Sequence, residues 1–263
     1  MPGFRRTMPR DSARAPSAFV SHVVADGLVV IALLAWWFTA HGLPSYVLPA
    51  PMVTAHQLML LFVDPGFIGD TLISLGRVIT AVAAAVIIGG LLALGARFVP
   101  STNYAIYRRL LPILNSFPAV GWALLAAFWL APGNFSVVTV EVLILVPFCT
   151  IAIAQGLADM DQDLVEMGRS FSRSPTRIAI KIAGPLMLPY VMSSIRIAYG
   201  VGWKIALVAE LFGAQRGLGY LMLRAEITSD TAMVFATCFA IVIIFVAGEK
   251  LVIEPLARRF SIG

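Results

Sequence analysis

Six apolar runs, each long enough to cross a lipid bilayer as a helix, dominate this sequence. A membrane-spanning helix needs about 20 mainly apolar residues. The runs are Val23–Thr39, Leu72–Phe98, Ile113–Leu130, Val137–Leu157, Leu186–Phe212 and Thr231–Ile253. They predict an all-α integral membrane protein with six transmembrane helices. The third run is the weakest candidate, because it is short and contains Pro118, which indicates a kinked or re-entrant span.

The composition excludes an ordinary soluble domain. The 263 residues are 59% hydrophobic and 13% charged, with a mean hydropathy of +0.89. Soluble domains carry about 25% charged residues, so this chain has too little polar surface to cover a globule. The net charge of +5 does not indicate a nucleic-acid partner, because the basic residues lie between the apolar runs and not in one stripe.

Lysine and arginine lie mainly at alternate ends of the runs, which sets a direction in the membrane. One side carries most of them: Arg5, Arg6, Arg10, Arg14, Arg97, Arg108, Arg109, Arg169, Arg173, Arg177, Lys181, Lys250, Arg258 and Arg259. We predict that this side is cytoplasmic, with both termini inside. The expected organisation is a cytoplasmic tail over residues 1–22, a single membrane domain over 23–257 and a cytoplasmic end over 258–263. The polar, arginine-rich start does not have the pattern of a cleavable signal peptide.

The predicted cytoplasmic stretch of residues 159–184 has helix signals of its own. Asp163 and Glu166 have the spacing of a capping box. Leu164, Gly168 and Phe171 then follow at i, i+4 and i+7, which places them on one helical face. The spacing predicts a short amphipathic helix that begins near Asp163.

A second short helix is predicted directly after the first. Ser174 followed by Pro175 is typical of an N-cap and the first helical position, and Pro185 and Pro189 are expected to mark a turn back into the membrane. Two interpretations of the helical pair remain open. It is either a projection shaped for a groove on a cytoplasmic partner or an amphipathic loop that lies on the lipid headgroups.

The same stretch is similar to a known motif. Asp161-Gln-Asp-Leu-Val-Glu166-Met-Gly168-Arg169-Ser-Phe, with Ser174 and later Gly184-Pro-Leu-Met-Leu-Pro189, resembles the EAA loop of ABC importer permeases. Outside the loop, the chain resembles the nitrate, sulfonate, taurine and bicarbonate branch of that family. The segments concerned are Leu48-Pro-Ala-Pro51, Ala206-Leu-Val-Ala-Glu210 and Gly213-Ala-Gln-Arg-Gly-Leu-Gly-Tyr220. The loop departs from the family pattern in having Met167 and Gly168 where alanines are usual.

The resemblance implies a type I ABC importer permease fold, a location in a bacterial inner membrane, and a set of partners. These are two copies of an ABC ATPase, an extracytoplasmic solute-binding protein and a second permease copy, which is the same chain or a paralogue. ATP and magnesium would be bound by the ATPase, with no cofactor in this chain. The loop residues expected to couple to the ATPase are Leu164, Glu166, Gly168, Phe171, Ser174 and Pro175.

No motif in the chain supplies chemistry of its own. A phosphate-binding loop of the type G-x-x-x-x-G-K-[ST] is absent, and Gly200-Val-Gly-Trp-Lys204 lies inside an apolar run. We identify no catalytic arrangement and no histidine or cysteine spacing of a metal site. The chain is therefore interpreted as a non-catalytic permease subunit. An ion-coupled secondary transporter and a membrane enzyme or assembly factor are the alternatives from other classes.

The fifth run contains charged residues, which are costly in a membrane and often functional. Trp203, Lys204, Leu207 and Glu210 lie near one face, with Arg196 closer to the cytoplasmic end. They line the solute path in one interpretation. In the other, they form structural ion pairs between helices, with Arg196 reaching the interface. Arg77 and Glu141, in other runs, are expected to reach the membrane interface.

The solute is predicted only by class. The resembled branch handles small anions such as nitrate, sulfonates, taurine and bicarbonate, and Lys204 in the fifth run agrees with an anion. Relatives in that branch also carry thiamine precursors, riboflavin or aromatic acids, so these remain alternatives.

Overall fold

The computed structural model describes residues 18–160, 162–171 and 174–260, which are helical apart from short connections. The predicted tail is therefore described only from residue 18, and the last three residues of the predicted cytoplasmic end lie outside the described range. The helices are α1 Ala18–Gly42, α2 Pro51–Val63, α3 Pro65–Phe98, α4 Pro100–Ser116, α5 Ala119–Trp129, α6 Asn134–Asp159, α7 Gln162–Phe171, α8 Pro175–Gly213, α9 Leu218–Ile227 and α10 Thr231–Arg259. No strand occurs in these ranges.

Four helices are long and apolar enough to cross a membrane. They carry the second, fourth, fifth and sixth predicted runs and correspond to α3, α6, α8 and α10. The third run is divided between α4 and α5, which meet at an angle of 86°. Pro118 lies at this break and Phe117 before it is extended, with φ −84° and ψ 129°, as the steric demand of a following proline requires. The predicted kink at Pro118 is confirmed.

The first predicted run lies in α1, at the edge of the bundle. Its described side chains, from Asp26 to Gly42, form an apolar helix shorter than a full span. The whole helix has 25 residues, or about 37 Å at 1.5 Å per residue. Its large apolar side chains are mostly exposed, and Trp36 ties it to the bundle by donating a hydrogen bond to the Pro49 carbonyl at 3.0 Å.

The core is formed by α3, α6 and α8, which approach one another through small residues. A Cβ added at Gly89 of α3 would lie 2.9 Å from the backbone nitrogen of Thr150 in α6. A Cβ added at Gly156 of α6 would likewise collide with the side chain of Tyr190 in α8. Small residues at such positions let backbones pack closely where lipid provides no hydrophobic drive between helices.

The predicted turn at Pro185 and Pro189 is wrong, because α8 runs without interruption from Pro175 to Gly213. A π-helical segment, Ala179–Ala183, ends two residues before Pro185 and keeps the helix continuous. The described residues contain two further π segments, Ile106–Leu110 and Glu249–Ile253, and these end two residues before Pro112 and Pro255. A proline removes a hydrogen-bond donor and crowds the preceding turn, and a local π adjustment accommodates both effects.

Candidate functional sites at the two ends of the helix bundle

Helix α7 lies at one end of the bundle, called the loop end, beside the last residues of α3 and α6 and the first residues of α8. It is amphipathic, with Asp163 in its first turn and Arg169 in its last. The connection to α8 is capped as predicted. The Ser174 side chain accepts a hydrogen bond from the Arg177 backbone nitrogen at 3.4 Å, and Pro175 is the first helical residue.

Three apolar side chains of α7 form an exposed row, called here the apolar stripe. Leu164 is 37% exposed, Met167 is 52% exposed and Phe171 is 84% exposed. Their spacing of i, i+3 and i+7 places them on one face of the helix. Met167 was not among the predicted coupling residues, although its spacing from Leu164 carried the signal.

Gly168 does not belong to this exposed face, so the predicted grouping of Leu164, Gly168 and Phe171 is corrected. Gly168 is buried, and an added Cβ would collide with the Cδ1 atom of Ile182 in α8. The physical reason is that the α7 backbone must approach α8 closely at this point. Gly168 therefore faces the chain itself.

The capping-box prediction at Asp163 is also corrected. Because α7 begins at Gln162, Asp163 lies inside the first helical turn and not at the N-cap. A carboxylate in this position still interacts favourably with the positive end of the helix dipole. Glu166 is exposed on the next turn, where its carbonyl accepts a hydrogen bond from the Ser170 hydroxyl at 3.2 Å.

The opposite end of the bundle contains a group of polar residues, called the polar cluster: Asp70, Ser74, Arg77, Asn134, Glu210 and Arg216. Asp70, Ser74, Arg77 and Glu210 are buried, whereas Asn134 and Arg216 are exposed. At its centre, Arg77 of α3 donates to Glu210 of α8 at 2.7 Å, and the two side chains are 4% and 1% exposed. Arg77 also donates to the Asn134 side chain at 2.7 and 2.9 Å. The expectation that Arg77 reaches the membrane interface is wrong, since burial with several partners offsets the cost of its charge.

The remaining contacts of the cluster fasten the connection between α8 and α9 to α3. Glu210 accepts from the Ser74 hydroxyl at 2.8 Å and from the Gly219 backbone nitrogen at 2.8 Å. Asp70 accepts from Arg216 at 3.0 Å and from the Gly217 backbone nitrogen at 3.0 Å. Gly217 has φ +114°, a backbone conformation that residues with a Cβ atom rarely adopt. The cluster therefore joins α3, α6, α8 and the start of α9.

Glu141 of α6 is the second residue for which the interface expectation is wrong. It is completely buried, and neither carboxylate oxygen has a hydrogen-bond partner among the described residues. It lies within electrostatic range of Arg77 and Glu210. The sequence showed a glutamate in an apolar run, but it gave no signal for which charges would surround it.

The charged residues of α8 do not share one exposed face. Trp203 is 3% exposed and Glu210 is 1% exposed, so both face the core of the chain in this conformation. Arg196 pairs with Glu249 of α10 at 2.6 Å. Arg196 and Glu210 thus form ion pairs between helices, which was one of the two alternatives for this run.

Lys204 lies on the other side of α8 and is exposed, with Leu207 half-buried beside it. No hydrogen bond or ion pair of Lys204 occurs within the described ranges. A path-lining role for Trp203, Lys204, Leu207 and Glu210 stays a prediction, and Lys204 and Leu207 are the two placed at a surface. Within the same ranges, no three histidine, cysteine, aspartate or glutamate side chains converge as a metal ion requires.

Comparison with known proteins identifies one family. The model of the family described as "Binding-protein-dependent transport system inner membrane component" matches residues 85–252, which is more than half of the chain. The matched region begins within α3 and includes α7 and α8, so it contains the loop end and most of the charged residues described above.

Two relatives match nearly the full length. A "Probable ABC transporter permease protein" of Haemophilus influenzae is 29% identical over 222 residues, covering 82% of this chain and 87% of the relative. The taurine transport system permease protein TauC of Escherichia coli is 27% identical over 243 residues, covering 89% and 87%.

A solved structure shares the fold. A chain of the MetNI methionine ABC transporter, in a structure of inward-facing conformations, aligns with a TM-score of 0.59 and 15% sequence identity. The alignment covers 74% of this chain and 95% of that chain. At this level of identity, the likeness concerns the fold alone.

Proposed function

Because this chain belongs to the family of binding-protein-dependent transport system inner membrane components, we propose that it forms half of a solute path and receives ATP-driven motion through α7. The chain is a permease subunit of an ABC importer with the type I permease fold, and its family implies an ATPase and a solute-binding protein as partners. The loop end faces the cytoplasm in this proposal, because most lysines and arginines lie there.

The observation that carries the proposal is the apolar stripe. Large apolar side chains on a polar surface helix mark a contact site, and Phe171 is 84% exposed. An amphipathic helix presented in this way fits a groove on a partner protein. We propose that Leu164, Met167 and Phe171 enter such a groove on the ATPase.

The apolar stripe and the face of α7 that packs on the chain point in different directions. Gly168 is buried against the chain and Val165 is half-buried. The stripe lies about 100° around the helix from that inward face, at about 100° per residue. Its side chains therefore point to the side of α7 and not toward the ends of the spans.

Two chains together are proposed to enclose the path. One face of α8, with Ile197 and Phe212 at 41% and 44% exposure, is open in the single chain and includes Lys204. A second copy placed against this face would bring the α8 helices of the two chains into contact. A paralogue could replace the second copy without changing the geometry.

The solute is proposed to be a small anion, with taurine or another sulfonate as the first candidate. An unpaired ammonium within a span is costly by about 2.5–3.5 kcal/mol, so Lys204 needs water or an anion beside it. A relative of similar length is the permease of a taurine transport system. Thiamine precursors, riboflavin and aromatic acids are the alternative solutes.

Co-purification with the partner ATPase tests the docking site. Phe171→Asp places a charge in the proposed apolar contact, and we expect association to fall at least tenfold, since an unpaired buried charge costs more than about 1.4 kcal/mol. Ser170→Asp adds the same charge to the same exposed helix, about 100° away, and should leave association unchanged. Equal association of both variants and wild type would overturn the proposed docking site.

Membership of the ABC importer permease family excludes an ion-coupled secondary transporter, which was the alternative from another class. Such a transporter would continue uptake when the ATPase is removed or when ATP is absent. The ABC importer predicts that uptake stops in both cases, with the permease still present in the membrane at normal abundance.

A further inference from the structure

A cavity of about 760 Å³ lies between α7 and the membrane-spanning helices at the loop end. Its volume falls in the range of about 300–1,000 Å³ that is typical of small-molecule sites. Most of its lining is apolar, supplied by residues such as Leu94, Phe98, Leu157, Met160, Ile178 and Met187. It is the space left where α3, α6, α7 and α8 meet.

Two arginines also line this cavity. Arg97 lies in the last turn of α3, and Arg169 lies in the last turn of α7. Both side chains are exposed, and neither forms an ion pair with a described residue. Among the residues that the structure describes, no acidic side chain lines the cavity. The site therefore combines an apolar interior with two unneutralised guanidinium groups.

The depth of the cavity matches the boundary between hydrocarbon and headgroups. Phe98 ends the membrane-spanning helix α3, and Met160 directly follows the membrane-spanning helix α6. An acyl chain that entered from the bilayer would meet apolar side chains, and its headgroup would reach the two arginines. Basic pockets between spans at this level bind anionic headgroups.

We propose that this cavity binds an anionic phospholipid, with its phosphate between Arg97 and Arg169 and its acyl chain against the apolar lining. Guanidinium groups form paired, charge-assisted hydrogen bonds with phosphate. The bound lipid fills the space beneath α7 and holds this helix against the ends of α3 and α6.

Charge excludes the chain's own N-terminal tail as the occupant. The tail carries Arg5, Arg6, Arg10 and Arg14, which Arg97 and Arg169 would repel.

The geometry of α7 separates the cavity from the proposed ATPase contact. Val165 and Arg169 line the cavity, and they lie about 150° around the helix from the apolar stripe, at about 100° per residue.

Native mass spectrometry of the full chain in detergent tests this site with two defined lipids. Phosphatidylglycerol should bind at least tenfold more tightly than phosphatidylcholine. Replacing both arginines, as Arg97→Gln with Arg169→Gln, should abolish that preference. Both lipids carry a phosphate, but the choline ammonium neutralises phosphatidylcholine, so only phosphatidylglycerol presents a net negative headgroup to the two guanidinium groups. The matched control is Arg258→Gln, which removes an exposed arginine already paired with Glu254 at 2.6 Å.

Two further variants separate binding from misfolding. Arg97→Lys with Arg169→Lys keeps both positive charges and should retain a preference for phosphatidylglycerol. Ala183→Phe places a large side chain in the cavity lining and should exclude both lipids while Arg97 and Arg169 remain. Full lipid binding by the double glutamine variant, in protein that elutes as wild type does, would overturn the proposal.

The competing occupants give different results in the same assay. If inorganic phosphate at millimolar concentration displaces phosphatidylglycerol completely, the site binds a free anion and the proposal is wrong. If the isolated chain binds the lipid but the complex with its ATPase does not, the cavity belongs to the protein interface and the proposal is again wrong. Retention of the lipid in the complex supports it, whether or not Phe171 contributes to docking.

Discussion

Arg77 of α3 and Glu210 of α8 form a buried ion pair at 2.7 Å, although the two residues are 133 positions apart in the sequence. The pair lies at the end of the bundle opposite α7. Through Ser74, Asn134 and Gly219, its hydrogen bonds connect three membrane-spanning helices and the start of α9. We interpret the polar cluster as the feature that fixes this end of the bundle.

Removal of one partner of this pair should destabilise the protein strongly. Arg77→Met or Glu210→Met leaves an unpaired buried charge, which costs about 3–5 kcal/mol. The double variant should lose less than the sum of the two single losses, because it removes both charges. Thermal denaturation of the detergent-solubilised chain measures this difference, and strictly additive losses would contradict the pairing.

Glu141 should behave differently from Glu210, although both are buried glutamates. Glu210 has hydrogen-bond partners, whereas neither oxygen of Glu141 has one among the described residues. Replacing a buried, unpartnered polar group by an apolar one of similar size removes a desolvation penalty. Glu141→Leu should therefore maintain or raise the melting temperature, while Glu210→Leu lowers it. Equal losses in both variants would show that Glu141 has a partner.

Local signals in the sequence were sufficient for four of the six predicted spans and for part of the loop. The apolar runs located α3, α6, α8 and α10 because lipid requires a minimum apolar length. Pro118 located the break in the third run, and Ser174 with Pro175 located the start of the second loop helix. Each of these features depends on residues that are adjacent in the chain.

The missed features depend on how separate segments meet. The pairing of Arg77 with Glu210 required the packing of α3 against α8, which hydropathy does not specify. Gly168 was assigned to the exposed face because helical spacing cannot show that Ile182 lies beside it. The prolines at positions 185 and 189 were interpreted as a turn, whereas a π segment keeps α8 continuous through Pro185.

Gly168 should tolerate a small side chain and not a large one. Alanine favours the helix by about 1 kcal/mol over glycine, and its Cβ would meet only the flexible end of Ile182. Gly168→Ala should therefore retain uptake near the wild-type rate. Gly168→Phe should displace α7 and abolish uptake, and adding Ile182→Ala should partly restore it. Full uptake by Gly168→Phe alone would contradict the close packing of α7 on α8.

Cysteine accessibility should distinguish the two faces of α8. In a background without Cys149 and Cys238, a cysteine at position 204 should react with a small polar thiol reagent, because Lys204 is exposed. A cysteine at position 203 should be protected, since Trp203 is 3% exposed. The reactivity at 204 should change when ATP is trapped in the partner. Protection at both positions in every state would contradict a path beside Lys204.

Solute-stimulated ATP hydrolysis in proteoliposomes, with the binding protein present, tests most directly whether α7 couples the permease to its ATPase. Phe171→Asp should reduce the stimulated rate at least tenfold and stop uptake, because the charge disrupts an apolar contact. Ser170→Asp should retain the wild-type rate, and both variants should reach the membrane in equal amounts. A wild-type rate in Phe171→Asp would contradict the proposed coupling through the apolar stripe.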